Sequence, residues 1–301
     1  KSQSNQEVMK NVMLLVFITL AATFTPIFAK LTVAEISPLS FGFFRFGTAA
    51  ILFYITLKVR RLDLKFERKD YPRLLLLALL CIPLNQFFFL TGIKMSFASH
   101  SGIIYSLNPV YAYVVAVLFK YEKFYISKLF SILLTVVGIF FIFWENFSGT
   151  SVNNTVVSGD ILLLFAVLTF SMYLTLGKTT IEKYGALKTS TFVFLVGSVM
   201  YIPLFIYDLP NLSFEKVTLM GVIGYIYLSV VVAYLAYFVW YYALKHIAVS
   251  KLTTLSNISP LLTVLFSIIF LGEHISLFFV IGSLITLIGV FIMHRVSIDI
   301  S

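Results

Sequence analysis

Residues 94–122 read KMSFASHSGIIYSLNPVYAYVVAVLFKYE and residues 245–273 read KHIAVSKLTTLSNISPLLTVLFSIIFLGE, and the two align without a gap at an offset of 151. Lys94 meets Lys245, Ser99 meets Ser250, Pro109 meets Pro260, Phe119 meets Phe270 and Glu122 meets Glu273. Beyond this window Gly138 meets Gly289 in the same register. Matched Lys, Pro, Glu and Gly residues are hard to produce by chance in so apolar a background. The chain is a tandem duplication.

What is duplicated follows from composition. Hydrophobic residues make up 60% of the 301 and charged residues 12%, with a mean hydropathy of +0.99. That charge content is about half the roughly 25% of soluble domains, which excludes a soluble enzyme. A helix needs about 20 apolar residues to cross a hydrocarbon core about 30 Å thick. Ten such segments are predicted, at 10–29, 38–58, 72–93, 98–119, 126–144, 159–178, 188–207, 218–243, 249–271 and 276–293. Helix starts or bends are expected at Pro38, Pro72, Pro109, Pro203, Pro210 and Pro260, with Ser127 and Ser276 as N-caps of the fifth and tenth spans. The first run follows a polar leader and reaches Phe28-Ala29-Lys30 without a small-residue cleavage site, so it reads as a retained anchor helix. Cys81 is the single cysteine, and no intrachain disulfide can form.

Five spans per copy is an odd number, so the second copy must enter the membrane with the opposite orientation to the first. The expected fold is an all-α integral membrane protein whose ten transmembrane helices form two inverted five-helix repeats. Residues 1–147 make the first repeat, 148–158 an extracytoplasmic loop and 159–297 the second. Of the 22 Lys and Arg residues, 18 fall on the side shared by both termini, three (Lys30, Lys94, Lys216) fall on the other, and Arg45 lies within a span. The positive-inside rule then makes both termini cytoplasmic. The net charge of +9 is spread over juxtamembrane loops, which argues against nucleic acid as a partner. The partners expected are a lipid bilayer and a small-molecule substrate.

Inverted repeats are the usual architecture of alternating-access carriers, with the site near the midplane where the repeats meet. A channel is the alternative, but no filter or pore loop is visible. The residues that carry the repeat also carry a resemblance. Ile36-Ser37-Pro38 followed by Phe44-Arg45-Phe46, Asn108-Pro109 with Tyr121-Glu122, and Ser259-Pro260 with Leu271-Gly272-Glu273 resemble the signature of the drug/metabolite transporter superfamily, specifically its EamA-type members. The resemblance covers the whole chain in two copies and departs locally where Tyr121 stands opposite Gly272. It implies a ten-span carrier in a bacterial inner membrane with a central cavity. Amino acids or related metabolites are the implied substrates and export the direction; a drug or organic-cation exporter is the alternative.

Polar groups in hydrocarbon are costly unless they face a cavity or a partner helix. Asn85 and Gln86 in the third span qualify, as do Ser101, Tyr105 and Asn108 in the fourth, which share one helical face. Tyr234, Tyr237 and Tyr241 in the eighth span follow helical spacing, and Tyr237 is the repeat counterpart of Gln86. Ser256 and Asn257 in the ninth span, Tyr173 in the sixth, and Thr19 and Thr23 in the first complete a candidate substrate-binding ring. Singly, each residue is equally explained as helix glue or interfacial belt; as a set they favour a cavity. Pro109 and Pro260 each free a backbone carbonyl one turn earlier and serve as kinks or hinges. Arg45 either holds a substrate carboxylate or pairs with Glu35 or backbone carbonyls near the outer end, the structural pairing being preferred. His100 reads as a hydrogen-bonded residue rather than a titrating one.

The carboxylates fall at span ends or in loops, so a cation/proton antiporter, which needs a carboxylate deep in a span, is disfavoured. Glu122 and Glu273 are expected to cap or tether the next helix. There is no Walker A pattern, no His/Cys metal cluster and no positioned acid–base set, so neither enzymatic activity nor a cofactor is expected.

Overall fold

The computed structural model describes residues 2–145, 154–239 and 258–300, all helix or connecting turn. Helices α1 (Ser2–Glu35), α2 (Pro38–Val59) and α3 (Arg68–Met95) are followed by α4 (Ala98–Tyr105), α5 (Asn108–Leu118) and α6 (Ile126–Glu145). The second half supplies α7 (Asn154–Tyr184), α8 (Ala186–Asn211), α9 (Leu219–Val239), α10 (Ser259–Leu271) and α11 (Leu277–Ile300). Seven of these are long and apolar enough to cross a membrane, and α4 and α5, bent by 42° at their junction, make an eighth if they are one span. In hydrocarbon no water satisfies the backbone, so each segment must bond internally, and helix is the form these runs can take.

The punctuation follows local chemistry. Pro38 opens α2, where a missing N–H costs nothing. The Ser276 hydroxyl accepts the Phe279 amide at 3.0 Å and caps α11. Ser127 does not cap the fifth span as expected: α6 begins at Ile126 and takes Ser127 into its first turn. The bend between α4 and α5 falls at Ser106 and Leu107, and Pro109 sits in the first turn of the new helix. Pro83 is absorbed differently, within a π turn at Leu80–Leu84. A second π stretch, Tyr227–Leu235, contains the positions related to that turn by the 151-residue offset.

Helices of one half pack largely against helices of the other: α2 on α8, α3 on α7, α4 on α10 and α6 on α11. Lipid tails are as apolar as leucine, so this packing depends on close approach and polar contacts more than on water expulsion. The α6–α11 seam shows how. A Cβ added to Gly282 would lie 2.6 Å from the Gly138 carbonyl oxygen, and one added to Gly289 would lie 2.7 Å from Thr135 Cγ2. Gly138 in turn lies against Thr286. Thr135 and Thr286 are themselves an offset pair, so the Gly138–Thr286 and Thr135–Gly289 contacts are one contact made twice, with the helices running in opposite directions. Phe130, Val136 and Phe140 of α6 and Ile161 and Phe165 of α7 project outward and exposed, a surface suited to lipid.

Candidate functional site

A cavity of about 690 Å³ lies between the halves, walled by residues of α1, α2, α3, α4, α5, α7, α9, α10 and α11. Its wall is mostly apolar and aromatic, with Phe46, Phe89, Phe170 and Val232 among the contributors. Polar groups enter from α3, where the π turn at Leu80–Leu84 re-aims everything after it by about a third of a turn. Asn85 and Gln86 follow directly, both buried and both lining the cavity.

A relay of hydrogen bonds fixes these amides. Arg45, 4% exposed, donates through Nε to the Leu228 carbonyl at 3.1 Å and through Nη1 to Gln86 Oε1 at 3.2 Å. Gln86 Nε2 donates to Asn85 Oδ1 at 2.5 Å, and Asn85 Nδ2 donates to the Ala166 carbonyl at 2.7 Å. The chain thus ties α2, α3, α7 and α9 together at one depth. The expected Arg45–Glu35 pairing is not formed. Glu35 instead accepts the Thr218 amide and hydroxyl, each at 2.7 Å, while the expected backbone pairing is met by Leu228.

The candidate residues separate. Asn85, Gln86, Tyr105, Asn108 and Tyr237 line the cavity, together with Thr19, Arg45, Pro109 and Pro260. Asn108 Oδ1 also accepts the Ser171 hydroxyl at 2.6 Å, which anchors the start of α5 to α7. Ser101 and Tyr173 are buried outside the lining. Tyr234 also stands apart, its hydroxyl 2.5 Å from Thr56 Oγ1. Thr23 bonds Ser259 at 3.1 Å and joins α1 to α10. Tyr241, Ser256 and Asn257 lie outside the described residues.

A second group is the buried carboxylates at the end where α1 finishes and α4 starts, of which sequence reasoning singled out only Glu273. Asp160, fully buried in α7, accepts from Ser96 and lies 2.9 Å from His100 Nδ1, whose ring stacks on Phe279. Asp208 accepts from the Ser37 hydroxyl at 2.5 Å, the Ser40 amide at 2.8 Å and the Ser40 hydroxyl at 2.9 Å. Glu273 takes the amides of Ala98 at 2.6 Å and Ser99 at 2.9 Å, so it caps α4 of the opposite half rather than the helix after it. Glu122 does face its following helix, with Lys128 Nζ at 3.5 Å. For Asp208 and Glu273 the available signal is the unpaired amides of a helix start, but it becomes visible only once the partner helix is known.

At the other end the acids are exposed and paired with lysines. Lys188 reaches Asp63 at 2.6 Å, and Lys183 bridges Glu67 at 2.6 Å and Asp70 at 2.7 Å. The Lys188 hydrogen bond holds the Asp63 carboxyl below its usual range, and Lys183 and Lys69 do the same for Glu67. Among the described residues no cluster of His, Cys, Asp and Glu is suited to a metal ion.

A model of the EamA-like transporter family matches twice, over residues 9–144 and 157–295. The chain is 25% identical to the uncharacterized transporter YyaM of Bacillus subtilis, over 93% of this chain and 91% of that one. An uncharacterized transporter of Archaeoglobus fulgidus is 23% identical over 88% and 92% of the two chains. A WAT1-related protein of Arabidopsis thaliana is 27% identical over 82% and 68%. A solved crystal structure at 12% identity shares the fold, with a TM-score of 0.65 over 97% of this chain and 99% of its own. Two family matches over an apolar helical bundle with a cavity between its halves make the chain a membrane transporter of the EamA-like family, within the drug/metabolite transporter superfamily.

Proposed function

We propose that the protein is a secondary carrier of small metabolites, amino acids or their relatives foremost, that exports its solute by alternating access. The observation that carries the reading is the cavity, about 690 Å³ and walled by helices of both halves. That volume suits a metabolite-sized ligand. Ten spans as two inverted five-helix repeats are the architecture proposed, supported by the doubled family match and by the antiparallel, reciprocal α6–α11 seam. With both termini cytoplasmic in a bacterial inner membrane, the buried carboxylates lie at the outer end and the lysine-paired ones at the inner end. Rocking of one half against the other then exposes the cavity to each side in turn.

Uptake of a panel of labelled amino acids into proteoliposomes tests the reading. A rate that saturates and is competed by unlabelled solute is expected. Flux linear in concentration and indifferent to competitors would assign a passive channel instead.

A further inference from the structure

We infer that the transported solute bears a carboxylate, held in the cavity by the Arg45 guanidinium, and that the corresponding amines are rejected. The inference rests on the carrier reading above and narrows it to a charge class.

The argument begins with an uncompensated charge. Arg45 is 4% exposed, lines the cavity and has no salt-bridge partner among the described residues. Isolated charges in a low-dielectric interior are costly and are retained where something pairs with them. No Asp or Glu lines the cavity among the described residues. The internal stretches outside them, 146–153 and 240–257, contain no Asp or Glu in sequence either. The nearby span-end carboxylates are committed elsewhere: Glu35 to Thr218, Asp160 to Ser96 and His100, Asp208 to Ser37 and Ser40, Glu273 to Ala98 and Ser99. The pairing anion must therefore come from the solute.

Geometry fits that role. A guanidinium has five N–H donors in a planar fork. Nε is used by the Leu228 carbonyl and one Nη1 hydrogen by Gln86 Oε1, whereas Nη2 makes no hydrogen bond to a described residue. What remains is both Nη2 hydrogens and one on Nη1, charged donors of the kind that hold a carboxylate. Gln86 and Leu228 fix the group through Nη1 and Nε, and the Phe46 ring lies 5.0 Å from Cζ. Beside this anchor, Phe89, Phe170 and Val232 offer an apolar wall for the rest of the molecule.

Charge counting then sets selectivity. A carboxylate neutralises the site, and a zwitterion leaves it at the charge of the empty cavity while still pairing Arg45. An amine without a carboxylate adds a second positive charge in a poorly screened space, where like charges repel strongly.

The test uses the full chain purified in detergent and two matched sets of probes: leucine, isocaproate and isopentylamine; phenylalanine, hydrocinnamate and phenethylamine. Thermal unfolding is followed at millimolar probe, since a ligand of the folded state raises the midpoint. Stabilisation by the acids and amino acids of at least one set, with none by the amines, is expected. Arg45→Gln should weaken the acid response by about 30-fold or more, and Arg45→Lys should restore part of it. Stabilisation by amines equal to that by acids, or by no probe at all, overturns the inference on the native chain, whether or not the variants fold. An undiminished acid response in Arg45→Gln overturns it as well. Counterflow separates the two readings: trans-stimulated amine flux leaves a carrier without this selectivity, and absence of trans-stimulation by any probe removes the carrier itself.

Discussion

Glu122 and Glu273 occupy the same place in the two copies, after an apolar helix that ends in a left-handed residue, yet they do different things. Glu273 is 9% exposed and accepts two backbone amides at the start of α4. The Glu122 side chain is 51% exposed and has Lys128 at 3.5 Å. The local turn is nearly conserved. The amide of Glu122 bonds Ala116 at 3.1 Å and that of Glu273 bonds the offset-related Ser267 at 3.5 Å. The left-handed residue shifts by one, from Gly272 (φ 64°) to Lys120 (φ 60°), which accommodates Tyr121 opposite that glycine. What separates the glutamates is thus the state of the bundle end each one faces. Charge-assisted bonds to helix N-termini are the strong kind, whereas exposed ion pairs contribute about 0–1 kcal/mol. One end is tied by carboxylates on helix starts and the other is held by lysine pairs.

The comparison breaks most severely if the halves lose their common seam. Gly282→Val places new carbon atoms against the Gly138 carbonyl and Ile142, and overpacking of a tight contact costs about 1–3 kcal/mol or more. A large fall in the yield of monodisperse protein on gel filtration is expected. Next, Glu273→Ala strands the Ala98 and Ser99 amides, at about 1–3 kcal/mol for each buried donor left unmade. Its thermal midpoint in detergent should drop clearly, whereas that of Glu122→Ala should drop less, because Glu122 is half exposed, 3.5 Å from Lys128, and Lys128 keeps the Tyr113 ring beside it. Equal drops for the two would erase the difference between the ends.

A third pair of variants sharpens the comparison within one helix. Tyr237 lines the cavity and Tyr234 bonds Thr56 outside it. Tyr237→Ala should weaken transport at least several-fold without loss of folded protein, and Tyr234→Phe should leave the KM unchanged. The smallest effect belongs to the lysine-rich end. The Asp63 carboxyl is held below its usual range by Lys188, so any contribution is present above the ordinary carboxylate pKa and fades as the pH falls through the lowered value. At neutral pH the melting curve of Asp63→Asn should match that of the native chain, because exposed pairs contribute so little.

The helical, membrane-spanning character and several helix starts were readable because hydrophobic length and helix punctuation are local properties: α2 starts at Pro38 and α11 is capped by Ser276. The internal symmetry was readable because Pro109, Pro260, Gly138 and Gly289 stand out against an apolar ground. The π turns were not, since Pro83 looks in sequence like any other kink and only its neighbours decide how the lost hydrogen bond is absorbed. Nor was the division of the candidate ring. Tyr234 and Tyr237 are nearly equivalent by spacing, and which one meets the cavity depends on the π stretch Tyr227–Leu235, which contains the first and ends just before the second. Asp160 and Asp208 sit near span ends in sequence, but Ser96 and His100 cover the first and the start of α2 the second, with donors from a distant part of the chain.

Counterflow in proteoliposomes tests the central claim most directly. Vesicles loaded with an unlabelled amino acid and exposed to a trace of the labelled one should accumulate label transiently, at a rate raised by the internal solute. Label uptake that is indifferent to the loaded solute, from protein shown to be folded, would contradict a carrier whose two ends open in turn.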